Sequence, residues 1–211
     1  MARIPGKTDI PRRLTTAGRE LFMLYGYNAT GIQQITDRAG VPKGSFYNHF
    51  DSKETFAAVI IEQYAEQMQR NWERMLQAAP PQPLASIAYA FEQMIAHNEQ
   101  TQAGTGCLVG NFASELAEAS EVCRQSLVTA MGVWRNSLTQ LIGEAQRAGE
   151  ISSAIDAARL AGLVWDIWEG ALLRMKIEKS VTPLRDSVGL ILHHFLRAEP
   201  AQTASVNPTV K

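Results

Sequence analysis

The sequence predicts an all-α protein. Apolar residues recur at intervals of three and four along most of its 211 residues, the period of helices that bury one face. The breaks between these runs are rich in Gly and Pro, and no run alternates apolar and polar residues as a half-buried strand would. Hydrophobic content of 45% against 19% charge belongs to a chain that folds around a core. There is no internal repeat.

Residues 1–11 hold Pro5, Gly6 and Pro11 and are expected to form a flexible basic arm. A first helix spans about Pro11 to Tyr25, with Leu14, Ala17, Leu21, Phe22 and Tyr25 at helical spacing and Gly26 closing it. Arg12, Arg13 and Arg19 lie on it. Thr30 suits the N-cap of a second helix, since its hydroxyl can accept a bond from a backbone N–H. Ile32, Ile35 and Ala39 form the apolar stripe of that helix, and Gly40 supplies the left-handed residue that ends it. Pro42 suits the first turn of a third helix, to about His49, which carries Lys43, Ser45, Tyr47, Asn48 and His49. Two short helices joined by a tight turn containing Gly make a helix-turn-helix, whose second helix enters the DNA major groove.

Residues 30–54, TGIQQITDRAGVPKGSFYNHFDSKE, resemble the DNA-binding signature of TetR-family repressors along their whole length. Two positions depart from the family pattern: Gly31 stands where Ser or Thr is usual, and Thr36 where Ala is usual. The resemblance implies a three-helix head on a helical ligand-binding and dimerisation domain. Its boundaries here are 1–53 and 54–198, with a polar tail over 199–211. It further implies that Thr30, Tyr47, His49 and Lys53 contact phosphate, which sets register without reading sequence. Gln33, Lys43, Ser45 and Asn48 are placed for base edges, Lys favouring guanine and Asn adenine. Gly44 permits close approach to the DNA backbone, and Phe46 and Phe50 are read as core.

The charge agrees. Residues 1–53 hold eight Lys or Arg and four Asp or Glu, net +4, whereas the rest holds twelve against seventeen, net −5. A basic head on an acidic body is the footprint of a DNA-binding end.

Asp51 and Ser52 offer caps for a long helix from about Lys53 to Ala78, roughly 40 Å at ~1.5 Å per residue. It is apolar at Phe56, Val59, Ile60, Tyr64, Met68, Trp72 and Met75. Residues 79–83, Ala-Pro-Pro-Gln-Pro, break it. Helices are then expected over Leu84–Thr101, Cys107–Ala117, Ser120–Arg147, Asp156–Ile177 and from Pro183 onward. In the third of these, Leu127, Met131, Trp134, Leu138, Leu141 and Ala145 form a heptad seam suited to a partner helix. The fourth is apolar over more than one face, with Trp165 outside its narrow stripe, so it must be covered on two sides. The last carries Leu184, Val188, Ile191, Leu192, Phe195 and Leu196 on one face, and Gly162, Gly170 and Gly189 allow close backbone approach. These last two helices resemble the family's dimer interface.

Phe91, Met94, Phe112, Trp134 and Trp168 fall on inward faces around an expected cavity, with His97, Asn111 and Arg174 as polar partners. The stretch GTGCLVGNFASE (104–115) puts Cys107 at a helix start. A thiol there can have its pKa lowered, the same helix start can hold a ligand carboxylate, or Cys107 is a small buried hydrophobe. Cys123 has no such setting. The blocks GCLVGN and WDIWEGALLRMKIE (165–178) resemble the TetR subgroup that controls acrylate utilisation and, more distantly, repressors that sense electrophiles through a cysteine. The expected function is a homodimeric repressor on a near-palindromic operator, released by a small unsaturated acid, its thioester or an electrophile. Cysteine-based sensing of oxidants or electrophiles is the alternative.

An enzyme is disfavoured: no nucleophile and base stand at a recognisable spacing, and there is no phosphate-binding Gly loop or metal cluster. No cofactor or metal is implied, and two cysteines make no disulfide framework. With no run of 18 apolar residues and no signal-peptide core at the N-terminus, a cytoplasmic protein with no membrane partner is expected.

Overall fold

The computed structural model describes residues 9–100 and 106–196, and every regular element among them is helical. The N-terminal unit comprises α1 (Ile10–Tyr25), α2 (Ile32–Ala39) and α3 (Gly44–Tyr47). Leu14, Phe22, Ile35 and Phe46 are fully buried at its centre. Phe56 joins them from α4 (Lys53–Gln77), its ring 5.0 Å from that of Phe46 and 6.0 Å from that of Phe22. A Cβ on Gly18 would stand 2.5 Å from the Phe56 ring. Glycine there is what lets α1 lie so close to α4.

Gly40 ends α2 in the left-handed conformation at φ 62°, as its position predicts. The Arg13 guanidinium donates to the carbonyls of Ala39 (2.5 Å) and Gly40 (2.9 Å), serving acceptors that the helix leaves unpaired. Two details differ from the expectation. The N-cap of α2 is Gly31, not Thr30, and the Gln34 side chain accepts the Gly31 N–H at 2.6 Å. Thr30 is only 1% exposed and donates its hydroxyl backward to the Gly26 carbonyl at 2.7 Å. The third helix is also shorter than Pro42–His49, since only Gly44–Tyr47 is regular α-helix. Three-residue turns extend it at both ends, from Ser45 N–H to the Pro42 carbonyl and from His49 N–H to the Phe46 carbonyl.

The body contains α5 (Pro83–Gln100), α6 (Leu108–Leu116), α7 (Glu121–Arg147), α8 (Ala157–Glu178), α9 (Thr182–Leu190) and a π-helical turn over Ile191–Phe195. Ser52, Ser120 and Asp156 cap α4, α7 and α8 as their side chains suggest. The heptad seam of α7 is buried apart from half-buried Met131, and α7 packs between α4 and α8. On α8 the inner positions Leu160, Val164, Trp168 and Met175 are buried, and so is Trp165.

Leu163, Leu173 and Ile177 of α8 remain exposed, as do Leu190 and Phe195 beyond it. The single apolar face predicted for the last helix fails at Phe195, which is 51% exposed. The π turn inserts extra backbone per turn and rotates this residue outward. A Cβ on Gly170 or Gly189 would meet nothing within 4 Å, so the close approach expected there does not occur among the described residues. The predicted arm over residues 1–8, most of the 102–106 loop and the tail over 199–211 lie outside the described residues.

Candidate functional site

The face of the helix-turn-helix is built by residues that the core leaves out. Gln33, Lys43, Gly44, Tyr47, Asn48 and His49 are exposed, and Ser45 is half-buried. They project from a unit whose orientation is fixed by Phe46, with ring contacts to Tyr47 at 5.4 Å and Phe50 at 5.5 Å. Gln33 donates to the Asp37 carboxylate at 2.7 Å along its own helix.

Two residues expected at phosphate are engaged elsewhere. The inward Thr30 hydroxyl fastens the α1–α2 loop. Lys53 Nζ donates to the Tyr27 carbonyl at 2.6 Å and lies 4.0 Å above the Tyr27 ring. Burial of that amine pushes its pKa below the usual lysine range, against the pull of Glu115. A long cation beside an aromatic loop finds cation–π and carbonyl partners before it reaches solvent.

The second feature is a cavity of about 810 Å³ between α1, α4, α5, the start of α6, α7 and α8. Met94, Cys107, Trp134 and Trp168 line it as expected, and so does His97. The other expected lining residues do not. Phe91 is fully buried behind the wall, 5.3 Å from the Trp168 ring and 6.5 Å from that of Trp134. Phe112 turns toward the head and packs on Phe22 at 5.2 Å. Asn111 does not line the cavity and accepts a bond from Lys176 Nζ at 3.0 Å. Arg174 is exposed and paired with Glu178 at 2.9 Å.

In their place the wall contains Tyr64, Trp72, Trp165 and Glu169, together with Arg19 and Met23 from α1. Tyr64 and Trp72 were visible in the sequence only as apolar stripe, and Trp165 only as an apolar residue outside the stripe of its helix. Glu169 carried a clearer signal, an acid directly after Trp168 inside WDIWEGALL, one turn beyond Trp165.

Cys107 is the N-cap of α6 and is 7% exposed. Its pKa is not lowered. Burial, and then the facing Glu169 carboxylate, push the thiol up to about 12, outweighing the opposing N–H groups of Gly110 and Val109. The pull of a helix start on a thiolate is outweighed here, because burial and a facing acid both disfavour the charged form. The Tyr64 hydroxyl lies 4.0 Å from Cys107 Sγ. Burial, and then Cys107, hold the Tyr64 pKa well above its usual value. Cys123 is buried elsewhere, its Sγ 3.4 Å from the Glu54 carbonyl. Among the described residues, no three His, Cys, Asp or Glu side chains gather as a metal site, and no helix is long and apolar enough to cross a membrane.

The profile described as "Bacterial regulatory proteins, tetR family" matches residues 14–60, and that described as "Tetracyclin repressor-like, C-terminal domain" matches residues 83–189. The chain belongs to the TetR family. It is 34% identical over 190 residues to the HTH-type transcriptional repressor DhaR of Mycobacterium sp. (strain GP1), which covers 90% of this chain and 94% of DhaR. It is likewise 34% identical over 187 residues to the transcriptional regulator AcuR of Cereibacter sphaeroides, 87% of this chain and 84% of AcuR. A solved TetR regulatory protein from Rhodobacter sphaeroides superposes with a TM-score of 0.82 at 32% identity, over 89% of this chain and 99% of that one. The protein is thus a TetR-family transcriptional repressor with a DNA-binding helix-turn-helix, and these relatives are named as regulators.

In this TetR-family member the two features touch through α6. Cys107, at one end of that helix, lines the cavity. Near the other end, Glu115 accepts the backbone N–H groups of Tyr27 (3.0 Å) and Asn28 (2.7 Å) in the loop between α1 and α2. Lys53 holds the Tyr27 carbonyl from the opposite side. The head's loop is therefore clamped by α6 and α4, both of which contribute to the cavity wall.

Proposed function

We propose that this repressor binds a near-palindromic operator as a homodimer and is released when a small effector occupies the cavity. The observation that carries the proposal is the span of α6, from Cys107 on the cavity wall to Glu115 on the head's loop. An effector that fits better when α6 has moved shifts the heads away from operator spacing, and its differential affinity is the whole source of release. Arg19 and Met23 of α1 also border the cavity, giving the ligand a second direct contact with the DNA-binding unit.

The protein acts as a cytoplasmic regulator, not an enzyme. Base reading falls to Lys43, Ser45, Asn48 and Gln33, and phosphate contact to Tyr47 and His49. Thr30 and Lys53 serve by holding the loop that positions them. The exposed apolar strip of Leu163, Leu173, Ile177 and Leu190 supports pairing of α8 and α9 with the same helices of a second copy. A lone chain gains nothing by leaving such a patch in water.

The resemblance of residues 106–111 and 165–178 to acrylate-utilisation regulators supports small unsaturated acids, their thioesters and electrophiles as the first effectors to test. Reversible occupancy is favoured over covalent sensing because the buried Cys107 thiol stays protonated. The experiment is binding to a labelled fragment of the chain's own upstream DNA, with release scored against these compounds in parent and Cys107→Ser. Reversible release in both supports the proposal. Release by an alkylating agent alone, lost in Cys107→Ser, would replace it with covalent sensing.

A further inference from the structure

One carboxylate on the cavity wall is only partly answered by the described residues. Glu169 Oε1 is buried with no hydrogen-bond partner among the described residues. The other oxygen, Oε2, lies 2.5 Å from where a Cβ on Gly110 would stand. The carboxylate thus rests against the first turn of α6, in space that only glycine leaves open. The Cys107 thiol faces it and can give it one hydrogen bond; the Tyr64 hydroxyl sits beyond, 4.0 Å from Sγ.

Neither guanidinium of the cavity answers Glu169. Arg19 and Arg74 are both exposed, and Arg74 is turned to the Asn71 side chain and the Arg70 carbonyl. An acid withdrawn from water and left half-paired is costly, and such groups concentrate where a ligand completes them. The surrounding wall is aromatic. Trp72, Trp134, Trp165 and Trp168 all border the cavity, with the Trp134 and Trp165 rings 4.8 Å apart. Indole is the side chain that best accommodates a cation.

We propose that Glu169 is the anchoring acceptor for the effector, and that the effector offers it a hydrogen-bond donor, a protonated amine ahead of a neutral N–H, on an apolar body. A free carboxylate in that place meets a like charge and is rejected. The inference rests on the reading of the cavity as the effector site and narrows that reading. An unsaturated acid would act as an amide or another neutral derivative instead of as its anion.

The test uses three saturated probes of one shape, which cannot alkylate Cys107: 3-phenylpropylamine, 3-phenylpropionamide and 3-phenylpropionate. Their affinities for the full chain are measured by calorimetry without DNA. The amine is expected to bind tightest and the carboxylate weakest, about tenfold or more apart, as the loss of a charge-assisted bond implies. Glu169→Gln brings the amine and the carboxylate within a few-fold of each other. Gly110→Ala pushes the flexible end of Glu169 aside and narrows the gap without removing the acid.

A carboxylate that binds the parent as tightly as the amine, no binding of any probe, or an order that survives Glu169→Gln overturns the inference. Because the readout needs no operator, the two proposals separate. Probes that sort as expected yet leave operator binding untouched would sustain the Glu169 anchor and sink the cavity as the release site.

Discussion

Cys107 and Glu169 share one small enclosure, and each sets the chemistry of the other. With its pKa pushed from 9.0 to about 12, the Cys107 thiolate fraction near neutral pH falls about a thousandfold. Iodoacetamide should therefore label Cys107 far more slowly than a free thiol between pH 7 and 9, as read by mass spectrometry of its peptide; faster labelling would mean that the thiol is activated. Burial also raises the Glu169 pKa above 4.5. A carboxyl raised on folding is most compatible with the fold while protonated, and stability is lost as pH rises from the unfolded pKa through the folded one. Glu169→Gln should thus melt higher than the parent at pH 7, with the gain fading toward pH 4.5. A gain that persists undiminished in acid would remove ionisation as its cause. This pairing was half legible. The sequence flagged Cys107 by its place before a helix, but a helix start alone could not reveal that an acid 62 residues later would face it.

At the scale of elements, Asn48 sits just beyond the last regular turn of α3, exposed and facing away from the Phe46 core. Asn48→Ala should relax discrimination at one base pair by about 1–3 kcal/mol while nonspecific binding stays nearly intact, measured against a set of single-base operator variants. A uniform loss across all sequences would reassign Asn48 to phosphate. Helix positions were readable because caps and periodicity agreed, as at Ser52, Ser120 and Asp156. The exceptions have physical causes. Thr30 looked like a cap because its type allows it, yet burial against α1 turned its hydroxyl to the Gly26 carbonyl. Phe195 kept the helical period in sequence, but a π turn altered the phase. Phe112 and Phe91 were apolar in the right places, and periodicity cannot say whether an inward residue meets a cavity, the head or a second layer of core.

In the whole molecule, function depends on surfaces and couplings that no single helix contains. Leu173 is 60% exposed, so Leu173→Glu costs the monomer little while placing a charge on the proposed interface. Sedimentation should show a shift toward monomer, with operator affinity falling in step; a variant that stays dimeric would move the interface elsewhere. The family and the architecture were legible from the signature over residues 30–54 and the helical runs that follow. The link from cavity to head was not, because it depends on Glu115 reaching a loop 87 residues earlier in the chain. That link is the central claim, and reciprocity tests it most directly. For a compound shown to occupy the cavity, its dissociation constant is measured with and without saturating operator, and the operator's with and without saturating compound. Weakening of both by one common factor is the predicted result. A compound that fills the cavity while both constants stay unchanged would contradict the account.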